Sequence, residues 1–305
     1  MEKRLLEENI EVLRRAAGNW MDRRLVLMTA AQFAAKGKKI DGQAFIKVSD
    51  LVKSSASMFS PLRGIHFPMT GLIMAKDSHP EVEISRLHQN YQILRKANMR
   101  SSAFTYIAAF LLDDDMDASR INAIYEEMKK HHRFLTSYDD YPAAVIIAKR
   151  DGRVNELIEI SERYYRGLND KGLWKGNNLQ FLANMLVMCG DFQHELVRDV
   201  IYAKEELIRR GLKVKDIHYP ALGVIALTGR VKEAASIAVK LSEMKEFKWY
   251  KEMAITVAAT FVSQDYIDAS AELTTAIHAM IQAQQASAAA ATAAAAAAAA
   301  ASSGS

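Results

Sequence analysis

The sequence predicts an all-α fold: helical-pair repeats of about 35–40 residues, stacked as an α-solenoid or closed into an α/α toroid. Three observations carry this expectation. Fourteen glycines and five prolines among 305 residues are about half the usual density, too few for the hairpins of a sandwich or barrel. An aromatic-proline pair followed by a small and aliphatic run occurs three times: Phe67-Pro68-Met69-Thr70-Gly71-Leu72-Ile73-Met74, Tyr141-Pro142-Ala143-Ala144-Val145-Ile146-Ile147-Ala148 and Tyr219-Pro220-Ala221-Leu222-Gly223-Val224-Ile225-Ala226. The prolines recur at roughly twice the helical-pair period, which predicts further copies midway. Both are present without proline, at Phe104-Thr105-Tyr106-Ile107-Ala108-Ala109-Phe110 and Leu179-Gln180-Phe181-Leu182-Ala183-Asn184-Met185.

Taken in order, residues 1–20 read as an N-terminal helix packing on the array. Charges at Glu2, Lys3 and Arg4 stand where a secretory signal needs an apolar run. Leu25-Val26-Leu27-Met28 opens the repeat series and Ile255-Thr256-Val257-Ala258 closes it, giving about seven pairs in a single domain over 21–285. No Pro, Gly or Ser rich linker interrupts that stretch. Each apolar run is the inner helix of a pair, and an amphipathic outer helix follows at 118–135, 154–168, 196–210 and 231–244. In the first of these Ile121, Ile124, Tyr125 and Met128 share one face, and Glu126, Glu127, Lys129 and Lys130 the other. Proline in the first turn of an inner helix costs nothing, because that N–H has no partner within the helix. Residues 286–305, almost pure alanine, read as a tail that is helical or frayed and has little apolar surface to bury.

The motifs Asp22-Arg23-Arg24-Leu25, Leu135-Thr136-Ser137-Tyr138-Asp139-Asp140-Tyr141-Pro142, Lys175-Gly176-Asn177-Asn178-Leu179-Gln180 and Phe247-Lys248-Trp249-Tyr250-Lys251 resemble, in order and spacing, an uncharacterised bacterial family of Bacillus-type organisms, a domain of unknown function. The resemblance covers about residues 5–285. It implies a bacterial cytoplasmic protein and brings no activity or catalytic residue with it.

The familiar chemistries are missing. A single cysteine, Cys189, excludes an internal disulfide and a Cys-based zinc site. Asp113-Asp114-Asp115-Met116-Asp117 has the spacing of a magnesium-diphosphate motif, but it lies in a turn where Asp117 suits an N-cap. His131 and His132 point about 100° apart on a helix and do not grip one ion. No metal and no cofactor is expected. A formal charge of +4 over the whole chain gives no footprint for nucleic acid or membrane, and the lone thiol suits the cytoplasm.

One constellation comes from the repeat itself. His66, Asp140 and His218 stand two residues before the aligned prolines, beside Tyr141 and Tyr219, with Asn177 and Asn178 at the start of an intervening inner helix. Stacked pairs place them along one edge, either as local caps or as ligand-binding residues. The leading expectation is a binding or scaffold protein whose partner is another protein or a small polar ligand. The alternative is a toroid hydrolase or lyase acting on a small polar or sugar-like substrate, with Asp139 or Asp140 as acid or base. Removing residues 286–305 is expected to leave the melting temperature within about 5 °C of the full chain, since an alanine helix makes few apolar contacts; a larger fall in a thermal melt would show that the tail docks.

Overall fold

The computed structural model describes residues 3–18, 21–76 and 78–264, and among them every regular element is helical. The expectations for 265–285 and for the alanine-rich tail fall outside the described residues. Contacts divide the chain into two compact units.

The unit of residues 2–112 contains α1 (Lys3–Ala17), α2 (Arg23–Ala35), α3 (Gly42–Ser54), α4 (His66–Met74), α5 (Pro80–Lys96) and α6 (Ala103–Leu111). Helix α1 packs on α2 and α3, α2 on α4, α3 on α4 and α5, and α5 on α6. Every residue of α4 from Phe67 to Ile73 is buried. By contrast α3 buries only Phe45, Val48 and Val52 along one stripe.

The unit that begins at residue 113 contains α7 (Ala118–His131), α8 (Tyr141–Ala148), α9 (Val154–Asp170), α10 (Asn177–Leu186), α11 (His194–Arg209), α12 (Tyr219–Thr228), α13 (Val231–Glu243) and α14 (Met253–Gln264). These form two layers. Helices α8, α10, α12 and α14 are successive neighbours in one layer, and α7, α9, α11 and α13 in the other. The division follows from the sequence pattern. Helix α8 is apolar around its whole circumference and is buried from Tyr141 to Ile147. Helix α9 buries only the face of Leu157, Ile158, Ser161, Tyr164, Tyr165 and Leu168, and so can border water. In α7 the buried stripe is Ile121, Ile124, Tyr125 and Met128, as the spacing predicts. Glu127 differs from the expected exposed face. Its side chain is only 16% exposed and pairs with Lys130 at 2.6 Å.

Inner helices approach one another through glycines at the same repeat register, three residues after the aligned prolines. A Cβ at Gly71 would lie 2.6 Å from Cγ2 of Thr29 on α2, and one at Gly223 would lie 2.5 Å from Cδ1 of Leu182 on α10. Glycine inside a helix forgoes about 1 kcal/mol of propensity against alanine, so close contact is what these two positions gain.

Buried helices also need partners for their terminal backbone groups. At the C-terminal ends these come from cationic or amide side chains of neighbouring elements. Lys36 Nζ donates to the Ala75 carbonyl at 2.7 Å, and Asn90 Nδ2 to the carbonyls of Ala109 and Leu112 at 3.0 and 3.1 Å. Arg150 donates to the carbonyls of Val187 and Gly190 at 3.0 and 2.6 Å. Asp117 accepts the Ser119 N–H at 2.8 Å, the N-cap that its position suggested, and Asp113 is paired with Lys149. No group of three His, Cys, Asp or Glu side chains suited to a metal ion occurs among the described residues. Gly223→Val is expected to cost about 1–3 kcal/mol in a urea melt, because the extra methyl groups meet Leu182 in a packed layer; an unchanged midpoint would show that Leu182 turns aside freely.

Candidate functional site at the inner-helix edge

The sequence-predicted residues lie where outer helices hand the chain to inner ones. In the 113–264 unit these connections are residues 132–140, 171–176, 210–218 and 244–252. Hydrogen bonds tie each to the next. Gln180 Nε2 at the start of α10 donates to Thr136 Oγ1 at 2.9 Å. The Trp174 N–H donates to the Tyr219 hydroxyl at 3.0 Å, and Asn178 Nδ2 to Asp216 Oδ2 at 3.2 Å. His218 Nε2 donates to the Glu252 carbonyl at 2.9 Å. Four connections therefore lie side by side as one continuous edge.

Asp140 and His218 do not cap the inner helices that follow them, and His66 is itself the first residue of α4. Each instead folds back on the residue three positions earlier, closing a short 3-10 turn before the inner helix begins. Asp140 Oδ2 accepts the Ser137 N–H at 3.0 Å. His218 Nδ1 accepts the Lys215 N–H at 2.9 Å. His66 Nδ1 donates to the Arg63 carbonyl at 2.7 Å. Capping of the turn rather than of the helix has a simple cause: proline in the first turn, second in α8 and α12 and third in α4, already removes one N–H that would need a cap. The two histidines thus carry their protons on different nitrogens, Nδ1 in His66 and Nε2 in His218. Burial holds both imidazoles below their ordinary value.

Asp139 and Tyr141 also have local partners. Asp139 accepts the Ser137 hydroxyl. The Tyr141 ring is buried and meets Tyr125 edge-on at 4.8 Å. Asn177 is exposed at the first position of α10. The geometry brings Asn178, Tyr219 and His218 into one bonded row with Thr136 and Asp140 at the neighbouring connection. His66 belongs to the 2–112 unit. Burial, and then the charge of Asp139, pushes the Asp140 carboxyl up to about 7 against the opposing pull of the Ser137 N–H. Away from the edge, burial pushes the Cys189 thiol up to about 12, which leaves it a weak nucleophile. A cleft of about 460 Å³ lies at the opposite edge, among Arg150, Glu156, Arg163 and Asp191, and holds none of the predicted site residues.

What sequence reasoning missed is apolar. Phe134 is 98% exposed, Trp174 and Trp249 are each 79% exposed and Ile217 is 47% exposed, one on each of the four connections. The 2–112 unit does the same at residues 55–60, where Met58 and Phe59 face solvent. A signal was available. Each connection sets a large apolar residue next to or near a basic one, as in Arg133-Phe134, Trp174-Lys175, Lys215-Asp216-Ile217 and Lys248-Trp249.

These features define an all-helical protein of buried inner and half-buried outer helices, whose polar edge residues hold its connections together. The chain belongs to the family described as "Protein of unknown function (DUF4003)", whose model matches residues 11–286. It is similar to "Uncharacterized protein YeaA" of Bacillus subtilis (strain 168), with 28% identity over 286 residues, 87% of this chain and 85% of that one. The family resemblance drawn from the motifs is thus correct. No solved structure matches the chain.

Asp140 provides a pH test with a defined sign. The folded chain keeps a proton that the unfolded chain releases above about pH 4, so this residue's contribution falls as pH rises from about 4 toward 7. Asp140→Asn keeps an oxygen for the Ser137 N–H and is expected to remove that fall, whereas Asp140→Ala at pH 5 should lose about 0.5–2 kcal/mol. Urea melts at pH 5 and pH 8 check both; an identical pH dependence in wild type and Asp140→Asn would refute the assignment.

Proposed function

We propose that the chain is a cytoplasmic helical-repeat binding or scaffold protein, its pairs stacked as an α-solenoid, and that the connections of the 113–264 unit form its docking edge. One observation carries the reading. Along this edge the buried polar side chains of Thr136, Asp140 and His218 are engaged by neighbouring side chains or backbone, while large apolar side chains stand in water. Exposed rings cost solvation and add nothing to the fold, so a row of them on successive connections is explained by a surface that becomes covered. The two-layer packing of α7 to α14 supports the stacked-pair architecture, in which binding surfaces are laid out along the repeat. No helix among the described residues is long and apolar enough to cross a membrane.

The acid-base alternative rests on Asp140. Its carboxyl is buried and already engaged by the Ser137 N–H, and the neighbouring His218 is engaged at both ring nitrogens. That arrangement favours a latch over a group that meets substrate.

A photo-crosslinking residue tests the edge inside cells. Benzoylphenylalanine in place of Trp174 is expected to form adducts with protein or lipid, and the same residue in place of Glu205, exposed on α11, is expected to form none. Equal adducts from both positions, or none from either, would remove the edge as the working surface.

A further inference from the structure

We propose that the docking edge seats on an anionic lipid bilayer, with Phe134, Trp174, Ile217 and Trp249 entering the interfacial layer and the lysines around them meeting the headgroups. This rests on the reading of the edge as a docking surface and names what covers it.

The charge on this edge is unlike that of the chain. Over 305 residues the balance is +4, with 40 basic against 36 acidic side chains. Within the four connections the exposed charged side chains are basic except for Asp216. Lys171 and Lys175 flank Trp174, Lys213 and Lys215 precede Ile217, and Lys248 and Lys251 flank Trp249. Asp139, Glu246 and Glu252 are partly covered, Glu246 pairs with Lys245 at 3.5 Å, and Asp140 is buried, so the exposed balance stays basic. Lys248 Nζ lies 5.2 Å from the centre of the Trp249 ring. At roughly 8–10 Å per neighbouring helix the row extends over about 30 Å, enough for several headgroups.

The shape of the edge selects this occupant over others. Rings that are 79–98% exposed have no apolar wall beside them, and a peptide groove would supply one. An aliphatic residue, Ile217, takes the third place in the row and offers no face for a nucleic-acid base to stack on. A second copy of the edge would bring like charges together. A bilayer interface accepts Trp, Phe and Ile without a matching surface, and lysines held near anionic headgroups each contribute about 1 kcal/mol. Hydrogen bonds between neighbouring connections hold the backbone of the edge in place before contact, so the connections themselves need little ordering on binding.

Sedimentation of the full chain with vesicles tests this. Vesicles of phosphatidylcholine with roughly one-third phosphatidylglycerol are expected to carry the protein down, with a blue shift of tryptophan emission, and pure phosphatidylcholine vesicles are not. Raising salt to about 0.5 M should release most of it. Lys175→Glu with Lys248→Glu should weaken partitioning by at least roughly tenfold, and Trp174→Ala with Trp249→Ala should weaken it and abolish the blue shift. All four positions are exposed, so circular dichroism of the variants should match wild type. Absence of binding to the anionic vesicles, or equal binding by the tryptophan variant, overturns the proposal. So does binding of a polyuridine strand that the tryptophan variant loses while vesicles are ignored. Protein adducts at position 174 in cells without vesicle binding would overturn it too, and would leave the docking edge itself standing.

Discussion

A helix buried on every side has no water to satisfy the backbone groups at its two ends, and the architecture of this chain follows from that constraint. Helices α4, α8 and α12 gain stability from their uninterrupted apolar surface. The same surface forbids the usual remedy for unpaired terminal N–H and C=O groups. The protein solves the two ends differently. Carbonyls at the C-terminal ends receive long cationic or amide side chains from neighbouring elements, as Arg150 shows. The N-terminal ends combine proline, which has no N–H to satisfy, with a 3-10 turn closed by a buried side chain.

That solution explains why polar residues gather at the inner-helix edge. A buried Asp, a His and a set of amides near one another at repeat-equivalent positions suggest a catalytic site when seen as a sequence. In the structure Asp140 and His218 each have partners, and these belong to the same turn or to the adjacent connection. The cost of Asp140 is visible in its raised pKa, the expense of placing a carboxyl among apolar walls with a single N–H donor for its Oδ2.

The inner helices were legible in the sequence because burial on all sides writes a continuous apolar run, and proline marks where three of them begin. The outer helices α7, α9, α11 and α13 were legible from their stripes. Helices α3 and α5 were not. The inward face of α5 includes Glu83 and Asn90, both buried, which breaks the apolar period, and α3 contributes only three buried residues. The repeat register drew attention to the edge residues, but their hydrogen-bond partners depend on which ring nitrogen faces which backbone group, and no periodicity encodes that. The exposed rings escaped notice for the opposite reason. A basic neighbour such as Arg133 or Lys175 is a weak sequence signal for exposure, and the surroundings of Phe134 and Trp174 in space show it directly.

The latches between connections have a mechanical consequence. Each joins one pair to the next and none skips a pair: Thr136 reaches Gln180, Tyr219 reaches Trp174, and His218 reaches Glu252. Within the 113–264 unit, breaking one such bond opens one joint between neighbouring connections while the other joints keep partners of their own, so the edge loosens like a row of buttons rather than all at once.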